Sequence, residues 1–152
     1  MNQPGYGIRI VVGDWASLGE DAAAIRHEVF VLEQQVPEEM ELDDMDRLCL
    51  HAVAYAKDNA DVCAGTPIAT GRLLPDAHIG RMAVRKSARG GGVGSALLLR
   101  LMQAAQQRGD AGVVLSAQIH AEPFYLRHGF VREGAEYMDA GIRHVTMRRQ
   151  FD

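Results

Sequence analysis

Ile79-Gly-Arg-Met-Ala-Val84-Arg-Lys-Ser-Ala-Arg89-Gly-Gly-Gly-Val-Gly94-Ser-Ala-Leu97 is the stretch that decides the reading of this 152-residue chain. Ile79 to Val84 reads as a strand. It runs into four glycines in five positions, Gly90 to Gly94. Val93, Ala96, Leu97, Arg100, Leu101 and Ala104 then recur at helical spacing up to Gly109, a good C-terminal stop. Glycines let a ligand approach the backbone with no Cβ in the way. The first amides of the helix lack internal partners and, with the helix dipole, suit a phosphate or pyrophosphate. Arg89 adds a forked donor for phosphate oxygens.

Two familiar phosphate loops do not fit. A Walker A loop needs Lys and then Ser or Thr after its last glycine, whereas Gly94 is followed by Ser95-Ala96. A dinucleotide fingerprint needs a third glycine where Leu97 stands. What remains is Arg89-x-x-Gly92-x-Gly94 between a strand and an amphipathic helix. A flexible turn without a ligand is the competing reading. Four clustered glycines with no packing return argue against it.

Working outward, short apolar runs alternate with helical patterns and no repeat or linker stands out, which points to one α/β or α+β domain over 1–152. Ile8 to Val12 reads as a strand, with Asp14 or Ser17 capping a helix that runs to about Gln34. Pro37 stops it, and Glu38 to Arg47 reads as loop or short helix. Leu50 to Ala56, Ile68 to Leu74 and Gly112 to Ala117 read as strands, and Ala121 to Arg127 as a short helix ended by Gly129. Phe130 to Tyr137 and Ile142 to Arg148 read as closing strands around Asp139-Ala140-Gly141.

Hydrophobic residues make up 47% and charged residues 24%, a globular balance that excludes a disordered or fibrous chain. The net charge of −4 argues against unspecific nucleic-acid binding. No apolar run is long enough to span a membrane, and no basic-then-apolar segment opens the chain. Cys49 and Cys63 fit idle thiols in a reducing cytoplasm, with a disulfide as the alternative. The charges are segregated. From Ala77 to Gly109 there are six Lys or Arg and no acid, whereas Glu38 to Asp46 holds six carboxylates in nine positions and no base. A solvated acidic loop is the plain reading of that run. An attractive field for a cationic amine is the functional one.

Arg89-x-x-Gly92-x-Gly94 resembles the pyrophosphate signature of the GCN5-related N-acetyltransferase (GNAT) superfamily. A second cue follows in order: a strand, then Phe124-Tyr125 on a short helix, then Gly129-Phe130. Arg26, Phe30, Gln34 and Pro37, then Glu41-x-Asp43-x-x-Asp46, and Glu136-Tyr-x-Asp-x-Gly-Ile-x-His144-x-x-Met147 are similar to the ElaA-like branch. Parts of this pattern, with Thr70-Gly-Arg72 and Arg81, are also similar to acyl-homoserine-lactone synthases. Against that likeness, the chain is short and the segment after Pro37 lacks aromatic residues.

The resemblance implies an α+β fold, layered α/β/α, with a mixed, mostly antiparallel sheet of about six or seven strands and about four helices. It implies acyl transfer, most simply from acetyl-CoA, to a small-molecule or peptide primary amine in a ternary complex. Alternatives are an acyl-homoserine-lactone synthase-like enzyme and a non-catalytic CoA sensor. Met82, Ala83 and Val84 would hold the pantetheine and acyl carbonyl. Arg89, Gly90, Gly91, Gly92, Val93, Gly94 and Ser95 would hold the pyrophosphate. Gln118, standing where many members have Asn, and Phe124 would complete the CoA site. Tyr125 falls at the family's general-acid position. His120 is the first candidate for the base, with His144, Glu41 and Asp43 as alternatives. Arg26, Glu41, Asp43, Arg72 and His144 are the candidate acceptor contacts, with pairing of Arg26 and Arg72 to these acids as the alternative. No metal-ligand spacing appears. Exposed strand edges leave a homodimer open.

Overall fold

The computed structural model describes residues 7–56 and 65–152; the thiol of Cys63 and most of the turn between the second and third strands lie outside them. β1 (Ile8–Gly13), β2 (Leu50–Ala56), β3 (Thr66–Leu73) and β4 (His78–Val84) pair in succession as an antiparallel meander. β4 then meets β5 (Gly112–Gln118) in parallel, and β5 pairs antiparallel with β8 (Ile142–Gln150). β6 (Val131–Arg132) and β7 (Tyr137–Asp139) both pair with β8, which brings the sheet to eight strands.

β2 is buried on both faces, and the alternation of its side chains explains the layers. Ala52 and Ala54 pack toward α3 (Val93–Arg108), with Leu97, Leu98 and Leu101. Val53 and Tyr55 point the other way, toward Leu18, Ala22 and Ile25 of α1 (Trp15–Arg26). The result is the expected α/β/α sandwich.

Asp14 caps α1, its carboxylate accepting the Ser17 amide at 2.9 Å. Beyond Arg26 the helix continues to Glu33 with widened, π-type turns. Thus Gln34 N–H reaches Val29 C=O and Val36 N–H reaches Phe30 C=O. The acidic run forms α2 (Glu38–Glu41) and a single turn at Asp46–Leu48. α3 begins at Gly92 and ends at Gly109, both left-handed, and α4 (Glu122–Arg127) carries Pro123 in its first turn.

The sequence reading gave one strand over Phe130 to Tyr137; there are two. The chain turns off the sheet at Gly134 (φ 87°) and returns at Tyr137, so Arg132 opposes Met147 while Tyr137 opposes His144. Five positions on one side span three on the other, and residues 133–136 bulge out. Ala140 and Gly141 both have positive φ, as a two-residue hairpin turn of type I′ requires.

Candidate active site

The parallel contact between β4 and β5 is brief. His78 opposes Val114 and Ile79 opposes Leu115, and no pairing follows. From Gly80 and Ser116 onward the two strands splay apart, and a cleft of about 910 Å³ opens between them. Gly80, Met82 and Val84 line one wall, and Ser116, Gln118 and His144 the other.

The β4 wall is bulged. Thr70 opposes Ala83 and Arg72 opposes Gly80, so β4 spends Arg81 and Met82 against the single residue Gly71. Arg81 takes the left-handed φ of 49°, a rare state for a side-chain-bearing residue. A bulge leaves backbone groups out of the ladder, here beside the cleft. Gly71 is required beneath it, because a Cβ there would meet Met82 Sδ at 2.5 Å and Leu101 Cδ1 at 2.9 Å.

Beyond Val84 the chain reaches the glycine turn. Gly90 and Gly92 have φ of 89° and 84°, and a Cβ added at residues 90, 91 or 92 would project into open space. The first free amides of α3, at Val93, Gly94 and Ser95, follow directly; Ala96 N–H is already satisfied by Gly92 C=O at 3.1 Å. Gly94 instead sits 3.6 Å (from its would-be Cβ) from Phe124 Cζ, closing α3 against α4. Arg89 does not stand free. Its Nε donates to Val84 C=O, and Nη1 and Nη2 each reach a Glu33 carboxylate oxygen at 2.7 Å. Neighbouring Gln34 accepts from Gln118 Nε2 at 3.0 Å. The π-type segment is therefore tied to both cleft walls. Sequence reasoning placed Gln34 only in a pattern and gave Glu33 no role, since an exposed Glu carries no signal of a distant partner.

Tyr125 is buried on α4. Its ring is fixed edge-on by Phe124 (centroids 5.0 Å apart) and Phe130 (5.7 Å). The side chain lines the cleft, and among the described residues its hydroxyl has no hydrogen-bond partner. Burial pushes that hydroxyl up to about 12, so it keeps its proton at neutral pH.

The other wall is one face of a sheet. Ser116 and Gln118 of β5, Ile142 and His144 of β8, and Tyr137 and Asp139 of β7 share it by register. Tyr137 stacks on His144 (5.9 Å, 21°), and its hydroxyl bonds Ser116 Oγ. His144 Nδ1 lies 2.7 Å from Ile142 C=O. His120 lines the cleft from the turn after β5, with no hydrogen bond to orient it among the described residues.

The acidic run is paired with arginines, the alternative that the sequence left open for Arg26 and Arg72. Arg26, only 1% exposed, donates Nε to Glu41 at 2.6 Å and Nη1 to Asp46 at 2.8 Å. Arg72 holds Asp43 and Asp46, each at 2.8 Å, and Arg81 bridges Glu41 C=O and Asp43. Three guanidiniums thus face three carboxylates, and the field expected at Glu41 and Asp43 is neutralised. The bases come from α1, β3 and β4, so the run itself could not reveal them. Arg26 and both Nη groups of Arg72 donate to these acids, whereas the buried Arg72 Nε has no hydrogen-bond partner among the described residues. The Arg72 hydrogen bonds outweigh desolvation and hold the Asp43 carboxyl down at about 2. Burial pushes Asp46 up, and the hydrogen bonds and charges of Arg26 and Arg72 more than reverse it. His51 Nε2 adds a 2.8 Å contact to Asp46 C=O.

This splayed sheet, bulged strand and glycine-capped helix are those of an acyltransferase, and residues 18–151 match the family model described as an acetyltransferase (GNAT) domain. The chain belongs to the GNAT family of N-acetyltransferases, in its ElaA-like branch. It is 38% identical over 134 residues to the uncharacterised N-acetyltransferase YjcF of Bacillus subtilis, covering 86% of this chain and 91% of that one. The fold matches an acyl-CoA N-acyltransferase from Pseudomonas aeruginosa with a TM-score of 0.81 and 33% identity, over 94% of this chain and 99% of that one. Escherichia coli ElaA matches with a TM-score of 0.80 and 26% identity, over 93% and 99%.

GNAT enzymes draw the acyl group from an acyl-CoA, and the residues present fit one. The turn's glycines face open space, free helix amides adjoin them, and a strand with unpaired backbone borders the cleft. Among the described residues there is no cluster of metal-ligating side chains, and no helix is long and apolar enough to cross a membrane.

Proposed function

We propose that the chain transfers an acyl group, acetyl in the first instance, from acyl-CoA directly to a primary amine. The observation that carries this reading is the cleft between β4 and β5, with the glycine turn at one end and protonated Tyr125 on its wall.

Acyl-CoA, when bound, supplies an activated acyl carbonyl and a thiol leaving group. Gly90 to Ser95 offer their amides to the pyrophosphate, where helix-end partial charge favours an anion. Met82, Ala83 and Val84 offer backbone groups along the β4 wall. An amide freed by the bulge provides a donor where negative charge develops on the carbonyl oxygen. Tyr125 holds the proton that the departing sulfur needs, kept there by burial. Phe124 packs at the helix end against Gly94.

The test is thiol release from acyl-CoAs of increasing chain length against a panel of amines. Amine-dependent release, fastest with acetyl-CoA, supports the proposal. Preference for a long acyl donor would move the reading to a homoserine-lactone-synthase-like acyltransferase. CoA binding without release on any amine would make the chain a sensor.

A further inference from the structure

Of the three carboxylates that line the cleft, two are already committed. Glu33 is bound by Arg89 and Glu41 by Arg26. The third, Asp139, has no ion pair or side-chain hydrogen bond among the described residues. It sits at the tip of the β7–β8 hairpin, directly opposite Ile142. Antiparallel partners project to the same face, so Asp139 and His144 lie diagonally on one surface, at a spacing of about 7–8 Å between such positions. An alkylammonium group fits a gap of that order.

His144 is the oriented histidine of the cleft. A carbonyl only accepts, so the 2.7 Å contact to Ile142 C=O requires the proton on Nδ1. In the neutral ring, Nε2 then keeps its lone pair. Tyr137 stacks on the ring and is itself anchored by Ser116, which holds the imidazole plane. His144 is 8% exposed and lines the cleft. His120 has none of these restraints.

We propose that the β7–β8 hairpin is the acceptor subsite: Asp139 binds a cationic primary amine and His144 Nε2 takes its proton. This rests on the acyl-transfer reading above and names its acceptor as an amine that is charged when it arrives. The nitrogen loses two protons overall. One passes through His144 to solvent, and the other replaces the proton that Tyr125 gives to sulfur. One C–N bond forms, one C–S bond breaks, and the bonding pair leaves with the thiol.

Tyr137 and Asp139 of β7 share the face of His144, and His120, from the turn after β5, lines the same cleft. Gln118, opposite it on β5, is uncharged, and neighbouring Arg143 turns away to Glu136. The experiment compares wild type, His144→Ala, His144→Gln and Asp139→Asn. Turnover is read with a simple alkylamine and with hydroxylamine, which is neutral at the assay pH. Imidazole nitrogen NMR of the wild type, without any acyl donor, reads the ring independently of activity.

His144→Ala and His144→Gln should lower kcat by about 10²- to 10³-fold with the alkylamine. The loss should be smaller with hydroxylamine, added imidazole should restore part of the His144→Ala rate, and CoA affinity should stay unchanged. Asp139→Asn should raise the alkylamine KM about 10-fold with little change in kcat. NMR should show the Nδ1–H tautomer. Undiminished turnover in both His144 variants, or an Nε2–H tautomer, overturns the base. An unchanged KM in Asp139→Asn overturns the amine contact. A wild type that releases no thiol with any amine removes the acyl-transfer reading and this proposal together.

Discussion

The Arg89 guanidinium and the Glu33 carboxylate form a bidentate pair, with both bonds at 2.7 Å, across 56 positions of sequence. The residue assigned to the pyrophosphate is thus held by the π-type segment that follows α1. The pair is well exposed, and such pairs are worth about 1 kcal/mol or less. A doubly charged pyrophosphate competes for Arg89 easily. Glu33→Gln should therefore tighten CoA binding by about 2- to 5-fold, and Arg89→Ala should loosen it by about 10-fold. Titration calorimetry at two salt concentrations measures both; weaker binding by Glu33→Gln would contradict the exchange of partners.

Tyr125→Phe keeps the edge-on packing with Phe124 and Phe130 and removes only the hydroxyl. Turnover should fall about 10- to 100-fold while CoA affinity stays within error. In the wild type the alkaline limb of the rate profile should not fall before pH approaches about 12, where the buried hydroxyl ionises. Single-turnover rates across pH check both statements.

Removing Arg26 leaves Glu41 and Asp46 buried without their main partner. Arg26→Met should cost about 3–5 kcal/mol, the usual penalty for breaking a buried pair. The same network sets the response to acid. The Asp43 carboxyl lies at about 2 in the folded chain against its ordinary 3.8, so its stabilising share is complete above 3.8 and is lost as pH falls toward 2. Asp46, also lowered, adds in the same direction. Urea unfolding at neutral pH and at pH near 3 should show the loss in wild type, and a smaller one in Asp43→Asn.

The two signature glycines should differ. At Gly92 an alanine would have to hold φ at 84°, costing about 1–2 kcal/mol, and its Cβ would enter the open face of the turn. CoA affinity should drop about 10-fold or more. At Gly94 the Cβ would meet Phe124 and Val84 at 3.6 and 3.7 Å, an ordinary contact, so Gly94→Ala should bind nearly as well as wild type. Equal losses at both positions would contradict this division.

What could be read from the chain alone was what local pattern encodes. β2 was placed to the residue, because its apolar run is continuous and both its faces are buried. The glycine turn and the Gly109 stop were equally legible, each being a local backbone requirement, while the cap was narrowed only to Asp14 or Ser17. The break at 133–136 was not, because a bulge depends on register with β8. The wide turns after Arg26 were not, since a helical stripe looks the same at slightly different periods. The acidic run stayed ambiguous for a similar reason: pairing with Arg26 and Arg72 was one of two readings, and its partners Arg26, Arg72 and Arg81 come from three other elements. Asp139 stood in a quoted pattern and a turn without a role, and its lack of an ion pair among the described residues marks it.

One measurement bears most directly on the central claim. Wild-type chain is mixed with acetyl-CoA and a simple alkylamine, and thiol, acylated amine and intact protein mass are followed together. Thiol and acylated amine should form in equal amounts, with the protein mass unchanged throughout, because the amine attacks directly in the cleft. Thiol released without acylated amine, or an acylated protein formed in step with turnover, would contradict it.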